Sequence, residues 1–278
     1  MKKKEQVQKP NIQEVTDIEV TPVEERNIVF KPNAGPQTDF LAAGEREVLY
    51  GGSAGGGKSY AMLADPLRYM GHPSFSGLLL RHTTEELREL IYKSKEIYPQ
   101  IWKGIKWSER KMQWEAPSGA RLWMSYLDRE DDVLRYQGLA FSWIGFDELT
   151  QWATPYAWNY MRSRLRSVAS DLPVYMRATT NPGGPGHQWV KKMFIDPAPY
   201  GRQFDATDIE SGNILSYPKG HTKSGQPLFK RRFIPARLSD NPYLAETGDY
   251  ETMLLSLPEH QRKQLLEGDW DIKEGAAF

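Results

Sequence analysis

The 278-residue chain contains no cysteine. That absence excludes disulfide frameworks, cysteine nucleophiles, thiolate zinc sites and iron–sulfur clusters. Histidine is scarce too: His72, His82, His187, His221 and His260 are scattered and form no HExxH pair, which argues against a histidine-built metalloprotease. Net charge is absent, because Lys+Arg and Asp+Glu both number 36. A chain that coats nucleic acid by bulk electrostatics is basic, so any nucleic-acid contact here has to come from a local patch. No apolar run approaches the roughly 18 residues that span a membrane. The first 20 residues carry charge but no apolar centre and do not read as a secretory signal. A cytoplasmic protein with no membrane partner is the expectation.

What is present is the composition of a folded protein, 39% hydrophobic and 26% charged, with chain enough to bury a core unaided. Residues 1–30 are polar and charged and are expected to form a flexible arm. Residues 31–200 are expected to form the core. Residues 201–278 are expected to hold an irregular insertion, rich in Gly, Pro and Ser from 197 to 230, and then a small helical C-terminal subdomain. Strands are predicted at 48–50, 77–80, 141–146 and 174–179, with a hairpin formed by 111–115 and 121–126 around Pro117-Ser118-Gly119. Helices are predicted at 58–70 (disturbed by Pro66), from Thr83 or Thr84 to 98, at 156–168, and in the last forty residues. Strands alternating with helices predict an α/β fold, a mostly parallel sheet with helices on both faces.

The strongest motif is Gly52-Ser53-Ala54-Gly55-Gly56-Gly57-Lys58-Ser59, which fits GxxxxGK[ST] between a predicted strand and a predicted helix. Glycines let backbone N–H groups converge on phosphate oxygens, and a helix N-terminus adds partial positive charge. In such a loop Lys58 bridges the β- and γ-phosphates of ATP, and Ser59 puts its hydroxyl on Mg²⁺. Asp147-Glu148 follows an apolar strand. Asp147 is the candidate for the Mg²⁺ shell, directly or through water, and Glu148 for general base or orienting group on the attacking water. Thr179-Thr180-Asn181-Pro182 ends another strand, where a doubly wound sheet places ligand-sensing residues. Gln37, with Phe40 close by, is a candidate for reading the adenine edge and face.

Together with these motifs, VLYGGSAGGGKS, LLLRHTTEEL, RYQGLAFSWIGFDELTQW, SRLRS, RATTNPGGPGHQWVK and the closing DNPYLAE and LLEGDW resemble the ATPase domain of the large terminase subunit of tailed double-stranded-DNA bacteriophages. The resemblance runs from about residue 37 to 278. It implies a P-loop NTPase of the additional-strand, catalytic-Glu type that drives viral double-stranded DNA into a procapsid from the host cytoplasm. The implied partners are the portal protein, the small terminase subunit and further copies in a ring. The implied roles are Lys58 and Ser59 on phosphate and Mg²⁺, Asp147 and Glu148 as metal and catalytic carboxylates, Thr180-Asn181 in coupling, and Gln37 as adenine reader. Such subunits usually continue into a nuclease domain with an acidic two-metal site. Asp269, Asp271 and Glu274 lie near where it would begin, without a strand-rich scaffold to organise them, so nuclease activity is not expected of this chain.

A permanently charged guanidinium stabilises charge developing on a γ-phosphoryl group. Arg135 is the choice for such an arginine finger, with Arg81, Arg129 and the Arg162/Arg164/Arg166 group as competitors. Arg162, Arg164 and Arg166, and Lys191-Lys192, are the candidates for DNA contact. Two rival functions remain open on the sequence: a helicase- or recombinase-like DNA-dependent ATPase, and a P-loop kinase acting on a small acceptor. The adjacent Glu148 argues against a non-hydrolysing nucleotide switch.

Overall fold

The computed structural model describes residues 28–246 and 248–272; the expected arm at 1–30 lies outside them except for its last three residues. Nine strands form one sheet: β1 (Glu47–Gly52), β2 (Ser76–Arg81), β3 (Lys106–Ser108), β4 (Gln113–Glu115), β5 (Arg121–Tyr126), β6 (Trp143–Phe146), β7 (Tyr175–Thr180), β8 (Gln203–Asp205) and β9 (Lys230–Ala236). Their spatial order is β3-β4-β5-β2-β6-β7-β1-β9-β8. The six strands from β5 to β9 in that order are parallel, and β3, β4 and β8 add antiparallel margins.

The central strands β1, β6 and β7 are buried at every position because both sheet faces are covered. Val48 and Tyr50 pack with Leu79 in one core, whereas Leu49, Leu78, Leu80, Ile144 and Phe146 pack in the other. The first core is closed by α1 (Pro36–Ala42), α2 (Lys58–Ala64) and α3 (Thr84–Ile101), and the second by α4 (Tyr156–Arg162) and α5 (His187–Val190), which runs on as a π-helical turn to Ile195. Thr83 caps α3 through a reciprocal box with Glu86, and Leu87, Leu90, Ile91 and Tyr98 face the core at helical spacing. Three short helices, α6 (Pro242–Ala245), α7 (Asp249–Leu255) and α8 (Glu259–Arg262), end the described chain, with a π-helical turn at Lys263–Glu267.

Several expectations need correction. The helix after the glycine-rich loop stops at Ala64, and a 3₁₀ segment, Asp65–Tyr69, takes over where Pro66 cannot donate. The helix expected at 156–168 ends at Arg162. Beyond it Leu165 bridges Phe141: Phe141 N–H donates to Arg164 O (3.0 Å) and Arg166 N–H to Phe141 O (3.0 Å). Arg162 therefore closes the helix, whereas Arg164 and Arg166 flank the buried Leu165 beyond it. The boundary expected at residue 200 runs through the sheet, because β8 and β9 come from the following segment and β9 lies directly beside β1.

β9 carries two arginines and a proline, yet it is a sheet strand for physical reasons. Arg231 is buried and donates through Nε to Glu47 Oε2 at 2.6 Å. Pro235 falls beyond the reach of β8, which pairs only with Lys230 to Arg232, so its missing N–H removes no bond on that side. Glu47 also accepts from Arg162 and Trp158. Burial alone raises a carboxyl pKa, but the Arg231 and Arg162 guanidiniums outweigh it and bring Glu47 down to about 2.

Candidate functional site

β1 runs into the glycine-rich loop, and its last residue passes so close to β9 that a Cβ on Gly52 (φ 138°) would lie 2.1 Å from Ala236 O. Gly57 (φ 75°) then caps α2. Lys58 opens that helix; its side chain is buried and Nζ donates to Ser53 O at 2.6 Å, across the loop. Burial lowers the Lys58 pKa, and the carboxylates of Glu148 and Asp147 only partly restore it. Among the described residues, the N–H groups of Gly55 through Ser59 have no acceptor in the chain. These are the unpaired donors of a loop and first helical turn, the arrangement that binds phosphate oxygens. Ser53 and Ala54 differ from that expectation. Their N–H groups donate to Ala236 O (2.9 Å) and Leu265 O (2.6 Å), and Ser53 Oγ to Leu266 O (2.7 Å), so they anchor the loop to later parts of the chain.

β6 delivers Asp147 and Glu148 to the same end of the sheet. Because β6 lies between β2 and β7, Asp147 meets residues from both neighbours: Arg81 donates to Oδ2 at 2.7 Å and the Thr179 hydroxyl donates to Oδ1. Glu148 adopts a left-handed backbone (φ 59°, ψ 59°), an uncommon conformation for a residue other than glycine and one that gathers at functional sites. Its carboxylate accepts from Asn181 N–H (3.3 Å) and, more weakly, from Asn181 Nδ2 (3.5 Å). Burial, then the adjacent Asp147, raise the Glu148 pKa above the ordinary carboxylate range, against the opposing pull of Lys58, Arg81 and the Asn181 N–H. Thr180 bonds side chain to side chain with Thr150 at 2.7 Å, locking the end of β7 to the turn that follows Glu148.

The structure thus brings together Lys58, Asp147, Glu148, Thr180 and Asn181. Gln37 sits beside the loop, with Oε1 accepting from Asn33 N–H (2.6 Å) and Nε2 donating to Gly57 O (2.9 Å). It lines a cavity of about 440 Å³ together with Phe30, Asn33, Tyr60, Asn241 and Tyr243. Phe40 is not available to a base: it is buried and stacked on Tyr50 at 5.3 Å. Arg135 is exposed and held by Asp132 (3.1 Å) and Tyr126 O (3.2 Å). Two DNA-contact candidates are already engaged. Arg162 is paired with Glu47, and Lys191 with Asp271 at 2.7 Å. Arg166 and Lys192 remain exposed, and Arg164 is half-buried over the Tyr160 ring.

Sequence reasoning gave Arg81 only as one of several competing arginines and missed Thr150 and Asn241, whose Nδ2 donates to Gly55 O at 2.6 Å. Arg81 was findable in principle, since it ends the strand next to β6 and side chains at the C-terminal ends of adjacent parallel strands converge. Asn241 carried no local signal, because it acts across 186 residues of chain.

One strand, β7, separates the loop-bearing β1 from the Asp147-bearing β6. With the glycine-rich loop, this order defines a P-loop-type α/β fold with the additional strand. A family model described as phage terminase large subunit matches residues 45–219, more than half of the chain. The chain belongs to the phage terminase large subunit family. No curated protein matches it in sequence. Among solved structures it is similar to the large terminase of a thermophilic bacteriophage in complex with ADP, with TM-score 0.59 and 16% identity over 86% of this chain and 54% of that one. It is also similar to the large terminase ATPase domain of Thermus phage P74-26, with TM-score 0.52 and 12% identity over 87% of this chain and 94% of that domain. The chain spans about half the length of the first of these, and at such identities the likeness is one of fold.

Proposed function

We propose that this chain is the ATP-hydrolysing motor part of a phage DNA-packaging enzyme. The observation that carries the proposal is the cleft at the C-terminal ends of β1, β6 and β7. There a buried Lys58 and the unpaired loop donors face Asp147 and Glu148, with Asn181 on the Glu148 carboxylate. Family membership supports the assignment to packaging, and the ADP complex of a similar fold supports a nucleotide ligand.

In this reading Lys58 and the N–H groups of Gly55 to Ser59 hold the phosphates. The donor set fits Mg²⁺, a hard cation that prefers oxygen. Ser59 Oγ and the Asp147 carboxylate would hold it, and when bound it neutralises phosphate charge. Glu148 takes a proton from the attacking water or orients it, and its raised pKa makes it a stronger base for that proton. Asn181 holds the carboxylate in place, and Gln37 braces Gly57 beside the cavity proposed for the adenine. Arg135, exposed and held at Asp132 and Tyr126, would act in a neighbouring subunit of a ring. Double-stranded DNA, the portal protein and the small terminase subunit are the proposed partners. No helix of the described residues is long and apolar enough to cross a membrane.

Calorimetry with ATP tests the core of the proposal. The chain should bind ATP and hydrolyse it, and chelation of divalent cations should abolish hydrolysis; absence of ATP binding would overturn it.

The half-buried Arg164 and the exposed Lys192 give a second expected result. Charge reversal at Arg164 and Lys192 together should leave ATP affinity unchanged, weaken DNA-stimulated hydrolysis and flatten the salt dependence of DNA binding by about two phosphate contacts. An unaltered salt slope would place the DNA track on another surface.

A further inference from the structure

His187 is buried, yet none of the roles above uses it. Its surroundings fix its chemistry. Gly183 N–H donates to Nδ1 at 2.8 Å, so Nδ1 carries no proton, and Nε2, 3.2 Å from Trp270 O, is the N–H that donates to that carbonyl. The imidazole also stacks on the Trp270 indole, with centroids 5.3 Å apart and planes at 21°. The Trp270 ring in turn packs edge-on against Phe233 of β9.

These contacts join two ends of the site. Gly183 lies two residues after Asn181, which holds the Glu148 carboxylate through its N–H. The loop between β7 and α5 is also tied to Thr150, through Gly186 N–H on Thr150 O (2.7 Å) and the Thr150 hydroxyl on Asn181 O (3.2 Å), and it is crowded: a Cβ on Gly183 would lie 2.6 Å from Gln264 Nε2, and one on Gly186 would lie 2.2 Å from Trp152 O. On the other side of the cleft, the phosphate loop is anchored to the same stretch of chain through Leu265 O and Leu266 O. Gly268 in that stretch approaches so closely that a Cβ there would lie 2.8 Å from Ser53 N.

We propose that His187 is a positioning residue for hydrolysis: clasped to Trp270, it holds the Asn181–Gly183 turn so that Glu148 keeps its distance from the phosphate loop. This rests on the ATPase reading above.

Three substitutions test it. His187→Asn retains an acceptor where Nδ1 sits and loses the reach to Trp270 O. His187→Gln does the reverse, and His187→Ala loses both. The turn is held at the Nδ1 side, so the expected order of turnover is wild type, then His187→Asn within about threefold, then His187→Gln and His187→Ala about tenfold or more below wild type, the scale at which outlying partners of a reacting group act. ATP affinity, read by calorimetry, should stay within about twofold throughout, since no phosphate donor is touched. Equal damage in His187→Asn and His187→Gln, or ATP affinity falling in step with turnover, overturns the positioning role. If His187→Ala does not fold, the Asn and Gln pair still decides. Wild type that binds no ATP would instead defeat the functional reading itself.

Discussion

Glu148→Gln should bind ATP as tightly as wild type and turn it over about a hundredfold more slowly or worse, the scale of losing general acid–base help. The amide keeps the size of the side chain and can still meet Asn181, so only basicity is removed. Lys58→Ala makes the contrast, since it removes the buried ammonium at the phosphate loop and should lose ATP binding itself. The pH profile checks the assignment further. Because the Glu148 pKa is raised, the acid limb of turnover should lie above the ordinary carboxylate range and vanish in Glu148→Gln. The sign for stability is opposite to that of a paired carboxylate. A group whose pKa is raised on folding stabilises the fold in its protonated form and costs stability once pH rises past it. Glu148→Gln should therefore melt at a higher temperature than wild type at neutral pH, a trade typical of reactive sites. Wild-type turnover in Glu148→Gln would hand the role to another residue.

Glu47→Ala should destabilise the fold by about 3–5 kcal/mol, measured by urea unfolding, because it leaves the buried Arg231 and the half-buried Arg162 facing no carboxylate. That is on the order of a hundredfold to several thousandfold in the folding equilibrium. The same cluster predicts acid sensitivity. Glu47 has its pKa depressed from 4.5 to about 2, so the stability it supplies is complete above pH 4.5 and is lost as pH falls towards 2. An unfolding midpoint that does not move between pH 5 and pH 3, or that moves equally in Glu47→Gln, would remove Glu47 from this role.

Much of the site was legible because its signals are local. A strand, a glycine-rich turn and a helix start lie within a dozen residues, and the physics of phosphate binding demands that order. Asp147-Glu148 was legible by its place at the end of the apolar run WIGF. What escaped is what depends on partners far along the chain. KRRFIPA reads as a charge cluster with a strand-breaking proline until Glu47 neutralises Arg231 and the short reach of β8 excuses Pro235. The spacing of Arg162, Arg164 and Arg166 is compatible with a helix or an extended segment, and only the bridge between Phe141 and Leu165 decides. Likewise nothing near Ser53 signals that its hydroxyl is spoken for by Leu266, 213 residues later.

The place of β9 has a consequence for the order in which the protein is made. β1 has β7 on one side and β9 on the other, and the phosphate loop at its end is tied to Ala236, Asn241, Leu265 and Leu266. During synthesis β1 leaves the ribosome early, but one of its edges stays open until nearly two hundred further residues have followed. An open strand edge is a template for wrong pairing, and nascent chains that expose one depend on chaperones. A ribosome-stalled chain ending before residue 230 should therefore be held by chaperones and be unable to bind ATP, although its glycine-rich loop has been outside the ribosome throughout.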